Sequence, residues 1–440
     1  MSRASADPLF GLGLATFAAL VAMTCHPGAR LEPPQVAAQL QAPRQGPAPA
    51  ASPAPAPLAG DPPANPVATA APTAPEALRL PRFYGALRGL EQKTQNEHVR
   101  ILWLGDSHTN ADYLTGAVRR RLAQRFGSGG PGFVRLGTNP YRHSGARVTR
   151  VGRWRIEPDP PSRRTPMDDG VFGFAGIRSV PAGDGSRVEL RIEKGRLEGA
   201  VRYELLADLP AGSSFQVHVG PKRLDFSERS ALARVPGSPI SRLHFESPPG
   251  ELIDIGGGVG TPRILGVIAE GEKAGVVLDT VGIDGARFAT PLAWNAEVFA
   301  AEIQARRPEL FVIAYGTNEA FDGGSTAAYA GQIDELLARL RRGNPNADCL
   351  IVGLPDAAAP DGSSLPRVME VEAIERLAAE RRGCGFFALR GVMGGEGGFA
   401  RWMHETPSLA RPDRIHLSVD GYVKLGEALA DALLLAYERG

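Results

Sequence analysis

Ile101-Leu102-Trp103-Leu104-Gly105-Asp106-Ser107-His108-Thr109-Asn110 is the stretch whose reading decides the fold. Residues 99–104 form a short apolar run led by a β-branched residue, the pattern of a buried strand. The run stops at Gly-Asp-Ser. From about Asp112 to Phe126 the spacing then predicts an amphipathic helix, with Leu114, Val118, Leu122 and Phe126 on one stripe. A serine at such a strand-to-helix turn sits at the carboxyl edge of a sheet with helix amides close by. That placement is one way to make a serine a nucleophile. A Gly-Asp-Ser triplet by itself is more often a turn or a helix N-cap, so the rest of the chain must decide.

Outward from this stretch, strands and helices alternate. A helix carrying Phe83, Leu87 and Leu90 precedes it, between Leu80 and His98. Strands are predicted at residues 276–281, 310–315, 349–353 and 386–389, and helices at 292–306, 326–342, 366–382 and 419–437. Together with the strand before Ser107 this makes about five parallel strands with helices on both faces. The expected fold is α/β, a flavodoxin-like three-layer α/β/α sandwich with its site at the carboxyl ends of the strands.

Residues 145–271 have a different texture. Short alternating runs at 151–156, 188–192, 201–206, 215–219, 243–245, 252–255 and 264–269 are punctuated by Gly, Pro, Asp and Ser. They predict an inserted β-sandwich or jelly roll. The α/β domain is thereby divided into residues 79–144 and 272–440. Trp154 and Phe172 are candidates for stacking on a sugar, although aromatic residues in β-sandwiches more often belong to the core.

The N-terminal region adds an address. Residues 1–30 hold a short apolar segment after Arg3, similar to the core of a secretory signal and short for a membrane span. Cys25, in Ala22-Met23-Thr24-Cys25, resembles a lipoprotein cleavage site in which Ala22 and Thr24 depart from the usual pattern. A lipoprotein, an uncleaved anchor and a cleaved signal remain open, and each places the protein outside the cytoplasm. Residues 31–78 are dominated by Ala and Pro and lack the large apolar side chains that offset the entropy of folding, so a disordered tether is expected.

Composition narrows the classes. At 440 residues the chain can hold two or three domains. A formal charge of +1 argues against a nucleic-acid partner. The 3 cysteines are too few for a disulfide scaffold. Cys349 and Cys384 read as small buried hydrophobes, with a disulfide permitted in an oxidising compartment. The glycine-rich Gly127-Ser-Gly-Gly-Pro-Gly lacks the Gly-Lys-Ser/Thr ending of a nucleotide-binding loop. There is no His-Glu-x-x-His and no Cys-x-x-Cys, so neither a metal nor a cofactor is expected.

Two further blocks complete a pattern: Ile313-Ala-Tyr-Gly316-Thr317-Asn318-Glu319 and Pro412-Asp413-Arg414-Ile415-His416. Asp413 lies three residues before His416, so in a tight loop its carboxylate can face the imidazole and orient it as the base for Ser107. The competing reading has Asp413 capping the last helix. In its order Ser, Gly, Asn, Asp-x-x-His, the chain from about Val99 onward resembles the SGNH (GDSL) hydrolases. It is most similar to their peptidoglycan O-acetylesterase branch, whose first block commonly reads Gly-Asp-Ser-His and whose fold carries an insert that looks like a carbohydrate-binding module. The resemblance implies a Ser107–His416–Asp413 triad. It also implies an oxyanion hole of the Ser107 N–H, the Asn318 amide and a glycine N–H, with Gly285 the first choice and Gly282 the second. Glu319 stands where the family more often has Asp, a swap expected to be tolerated. Asp106 is expected to support the turn and His108 to form a wall of the pocket.

The resulting expectation is a serine esterase of the cell envelope or periplasm that removes O-acetyl groups from a polysaccharide, peptidoglycan above all. Membrane attachment would run through the N-terminal segment. An O-acetyltransferase of the same fold, and a non-catalytic glycan-binding protein, are the alternatives. Whether the insert binds sugar or merely shapes the substrate site is left open.

Overall fold

The structure, a computed structural model, describes residues 78–138, 141–167, 169–195, 197–227, 229 and 233–439. The expected signal segment, Cys25 and nearly all of the Ala/Pro tether lie outside the described residues.

Five strands form the parallel sheet: β1 (Val99–Gly105), β2 (Val276–Gly282), β3 (Leu310–Ala314), β4 (Asp348–Gly353) and β5 (Gly385–Ala388). Their spatial order is β2-β1-β3-β4-β5. Ile101 is in register with Leu278 on one side and Leu310 on the other. This is the flavodoxin-like order, with its switch point beside β1. The strands are near-continuous apolar runs because helices cover both faces. Ile101, Trp103, Leu310, Val312, Leu350 and Val352 face one layer, built on helices Pro81–Glu91, Leu114–Phe126 and Val419–Arg439. Leu102, Leu104, Phe311, Ile313 and Ile351 face the other, built on Ala296–Arg306, Thr326–Gly343 and Pro366–Arg382. Local signals set the helix ends. The Asn295 side chain accepts the Glu297 and Val298 N–H groups, the Ser325 hydroxyl accepts that of Ala328, and Pro366 opens its helix at the first turn.

Between β1 and β2 the chain forms two antiparallel sheets. One contains Gly132–Val134, Trp154–Glu157, Arg178–Pro181, Val201–Asp208, Ala233–Arg234, Ser241–Ser247 and Arg263–Gly271. The other contains Ala146–Val151, Arg187–Ile192, Ser214–Val219, Lys222–Ser227 and Ile253–Val259. Antiparallel pairing therefore begins upstream of residue 145, because Gly132–Val134 pairs with Arg263–Gly271. The single run expected at 151–156 is two strands in different sheets. It breaks at Gly152, whose φ of +75° suits glycine alone.

The larger sheet is buried on both faces. Val201, Tyr203, Leu205 and Val267 pack on the second sheet around Val188, Leu190, Val217 and Ile253. Leu206, Leu265 and Ile268 point the other way, into one core with Val298, Phe299 and Ile303 of the α/β domain. Trp154 and Phe172 are corrected here as sugar-stacking candidates. Their exposures are 9% and 1%, and both are core side chains.

Cys349 and Cys384 form a disulfide that joins the starts of the neighbouring strands β4 and β5. They are thus a covalent link, with Cys349 buried and Cys384 partly buried.

Candidate active site

At the end of β1 the chain turns sharply, and Ser107 is the first residue of a one-turn helix, Ser107–Asn110. Asp106 caps it, its Oδ1 accepting the His108 N–H at 2.9 Å. The longer helix predicted from Asp112 starts only at Leu114. Asp112, at φ +52°, breaks the path, and its carboxylate binds Arg119 at 2.9 Å and the Ser144 N–H at 2.7 Å. Gly282, in β2, permits the close approach of the Ser107 turn, since a Cβ there would lie 2.3 Å from Asn110 N.

The C-terminal block comes to the same edge. Ser107 Oγ and His416 Nε2 are 3.0 Å apart, and His416 Nδ1 and Asp413 Oδ2 are 3.0 Å apart. With Nδ1 protonated toward Asp413, Nε2 is left to accept the serine proton. Asp413 does not cap the last helix. Its Oδ1 accepts the N–H groups of Ile415 (3.0 Å) and His416 (2.8 Å). Burial opposes ionisation of Asp413, but the His416 and Ile415 N–H donors outweigh it and hold the carboxyl below its usual range. The loop is fixed by the Ala358 N–H on the Arg414 carbonyl and the Arg411 N–H on the His416 carbonyl.

His108 does not enter this relay. It is buried, and its Nδ1 meets the Tyr422 hydroxyl at 2.9 Å. Burial, with His416 nearby, lowers its pKa to about 3 and keeps it neutral. Its ring lies 5.4 Å from that of His416, centroid to centroid, and with Asp106 it lines a small cavity.

Asn318 lies on the short helix Thr317–Ala320 that follows β3, across the switch point from Ser107. Its Nδ2 donates to the Ala286 carbonyl at 2.9 Å. A primary amide has a second N–H, which stays available for a ligand. Gly285 occupies a turn beyond β2 with φ +75°, and its carbonyl accepts from Arg287 at 2.8 Å. Gly282 is the last residue of β2, with its carbonyl held by Arg135 at 2.8 Å. Sequence reasoning missed Arg135 and Tyr422. Neither falls in a motif, and only folding brings them near Gly282 and His108. Among the described residues, no group of three or more His, Cys, Asp or Glu is arranged to hold a metal ion.

Residues 256–424 match the model of the GDSL-like lipase/acylhydrolase family. The match begins within the inserted sheets and does not include Ser107. A solved structure titled "Peptidoglycan O-acetylesterase in action" shares 23% identity at a TM-score of 0.69, over 84% of this chain and 98% of that one. An Enterococcus faecalis lipase/acylhydrolase shares 16% identity at a TM-score of 0.28, over 36% of this chain and 75% of that one. A search of curated protein sequences found no match. Residues 256–424 are thus similar to the GDSL-like lipase/acylhydrolase family, and the chain shares the fold of the solved O-acetylesterase structure, with antiparallel sheets inserted between β1 and β2.

Proposed function

We propose that the protein is a cell-envelope esterase that removes O-acetyl groups from a polysaccharide, with peptidoglycan as the favoured substrate. The observation that carries this reading is the relay of two 3.0 Å contacts, Ser107–His416–Asp413, at the carboxyl edge of the sheet. The peptidoglycan choice draws on the likeness to the O-acetylesterase structure, which spans nearly the whole of that chain.

In this mechanism His416 Nε2 takes the Ser107 proton as Oγ attacks the acetyl carbonyl carbon. Charge on the carbonyl oxygen is met by the Ser107 N–H, the free N–H of Asn318 and the Gly285 N–H. Gly285 is preferred to Gly282 because it sits in the turn beyond the end of β2. The intermediate collapses and expels the sugar oxygen, which takes the proton from His416. Water activated by His416 then releases acetate from the acyl-serine. Asp413 holds the imidazole tautomer and stabilises its charged form without itself taking the proton.

An exported location agrees with the Cys349–Cys384 disulfide, a bond at home in oxidising compartments. The insert is read as a wall of the substrate cleft. Thr290 Oγ1 donates to the Ser162 carbonyl at 3.3 Å, so the insert touches the segment that carries Gly285.

The test is acetate release from a panel of O-acetylated polymers including peptidoglycan, with Ser107→Ala as control. Release from peptidoglycan by wild type alone supports the reading. Release from other polymers only would overturn the substrate, and acetyl transfer to an added glycan without free acetate would make the enzyme a transferase.

A further inference from the structure

Two separate segments carry the proposed oxyanion donors. Asn318 follows β3, and Gly285 follows β2. Their spacing decides whether both N–H groups reach one oxygen, and about 1 Å of misplacement can cost a hundredfold in rate. Asn318 spans the gap through Ala286. The next residue, Glu319, spans it as well. Glu319 is 5% exposed, and its two oxygens serve different segments. Oε1 accepts the Phe288 N–H at 2.8 Å, and Oε2 accepts the Gly316 N–H at 3.1 Å.

The turn leaves little freedom elsewhere. Gly316 has φ +113°, and a Cβ there would lie 2.3 Å from Glu375 Oε1. Glu375 is itself buried and accepts the Tyr329 hydroxyl at 2.7 Å. Glu319 therefore works against a rigid back wall. Each of its oxygens holds a backbone donor, and the two donors belong to the turns on either side of the proposed hole.

We propose that Glu319 is a positioning residue for the oxyanion hole, its carboxylate clamping the Gly316 and Phe288 N–H groups and so fixing Asn318 relative to Gly285. The proposal rests on the reading of Asn318 and Gly285 as oxyanion donors. It accounts for Glu where the shorter Asp would struggle to reach both segments. Glutamine can accept one N–H, but it turns its own NH2 toward the other donor.

The test uses the full chain, a small soluble acetyl ester and a serine-directed phosphonate to count active sites. Per active site, Glu319→Gln should lower kcat about 10- to 100-fold with KM little changed, because the lost contact matters in the transition state. Glu319→Asp should retain more turnover than Glu319→Ala. In an Asn318→Ala background the Gln substitution should cost under about threefold, since residues acting through one hole are not additive. Wild-type kcat in Glu319→Gln, equal losses in both backgrounds, or a loss that vanishes per active site would each overturn the positioning role. Loss in Asn318→Ala with none in Glu319→Gln overturns that role alone. No loss in either variant overturns the oxyanion assignment with it.

Discussion

The imidazole of His108 lies 5.4 Å from that of His416, centroid to centroid, with its Nδ1 on the Tyr422 hydroxyl. A charged His108 would oppose the imidazolium that the proposed mechanism forms on His416. Burial prevents this by lowering the His108 pKa from 6.5 to about 3. The folded value lies below the unfolded one, so between them the unfolded chain binds more protons. Folded stability therefore falls as pH drops through about 6.5 toward 3. His108→Leu removes this liability. Its melting temperature should gain on wild type as pH falls from about 8 to about 4.5, while activity on a small ester survives. A melting difference independent of pH would show that His108 is not held neutral by burial.

Ser107 and His416 act as one unit if Nε2 takes the serine proton. Ser107→Ala should abolish hydrolysis of a small acetyl ester without unfolding the protein, and His416→Ala should cost nearly as much. The double variant should be little worse than either single one. Asp413→Asn should be damaging but measurable, because its backbone contacts to Ile415 and His416 can persist. Multiplying losses in the double variant would mean the two residues work independently, and the proposed relay would be wrong.

The fold was largely legible because each parallel strand is an apolar run bounded by polar turns, and the helices between them carry clear stripes. The site was legible where chemistry is local: Asp413 and His416 lie three residues apart, and Ser107 ends a strand. What escaped depends on tertiary contact. Trp154 and Phe172 look like any exposed strand or loop aromatic until two sheets and a helix close over them. Glu319 reads as a neutral swap until the Phe288 segment arrives from 31 residues upstream. The strand Gly132–Val134 is too short for its alternation to show.

The Cys349–Cys384 bridge closes a sequence separation of 35 residues. Loop-closure entropy for that length is worth about 4 kcal/mol at most. Cys349→Ser/Cys384→Ser should therefore melt several degrees lower than wild type. It should keep its esterase turnover near 25 °C, because the bridge joins the starts of β4 and β5, at the sheet edge away from Ser107. Wild type treated with reductant should match the variant. Equal melting temperatures with and without reductant would mean that the cysteines are not bridged in solution.

The insert is the last element with a testable role. Leu206, Leu265, Ile268, Phe172 and Phe174 share a core with Val298, Phe299 and Ile303. A fragment of residues 145–271 would bare that face and lose the Gly132–Val134 strand. It should be β-rich, bind a hydrophobic dye and self-associate, in contrast to a free-standing sugar-binding module. The insert also reaches the segment that carries Gly285. Ser162 Oγ lies 3.2 Å from where a Cβ on Gly285 would stand. Arg164 and Arg287 converge on Asp322 at 3.1 and 2.7 Å. Arg164 and Thr165 are exposed beyond these contacts, and an exposed ion pair contributes little to stability. Arg164→Ala/Thr165→Ala should therefore leave turnover of a small acetyl ester within about twofold. It should lower kcat/KM on the acetylated polymer severalfold, because only a long substrate reaches this wall. An unchanged polymer rate would remove residues 158–167 from substrate recognition, and a soluble, monomeric fragment that binds purified glycan would make the insert a module after all.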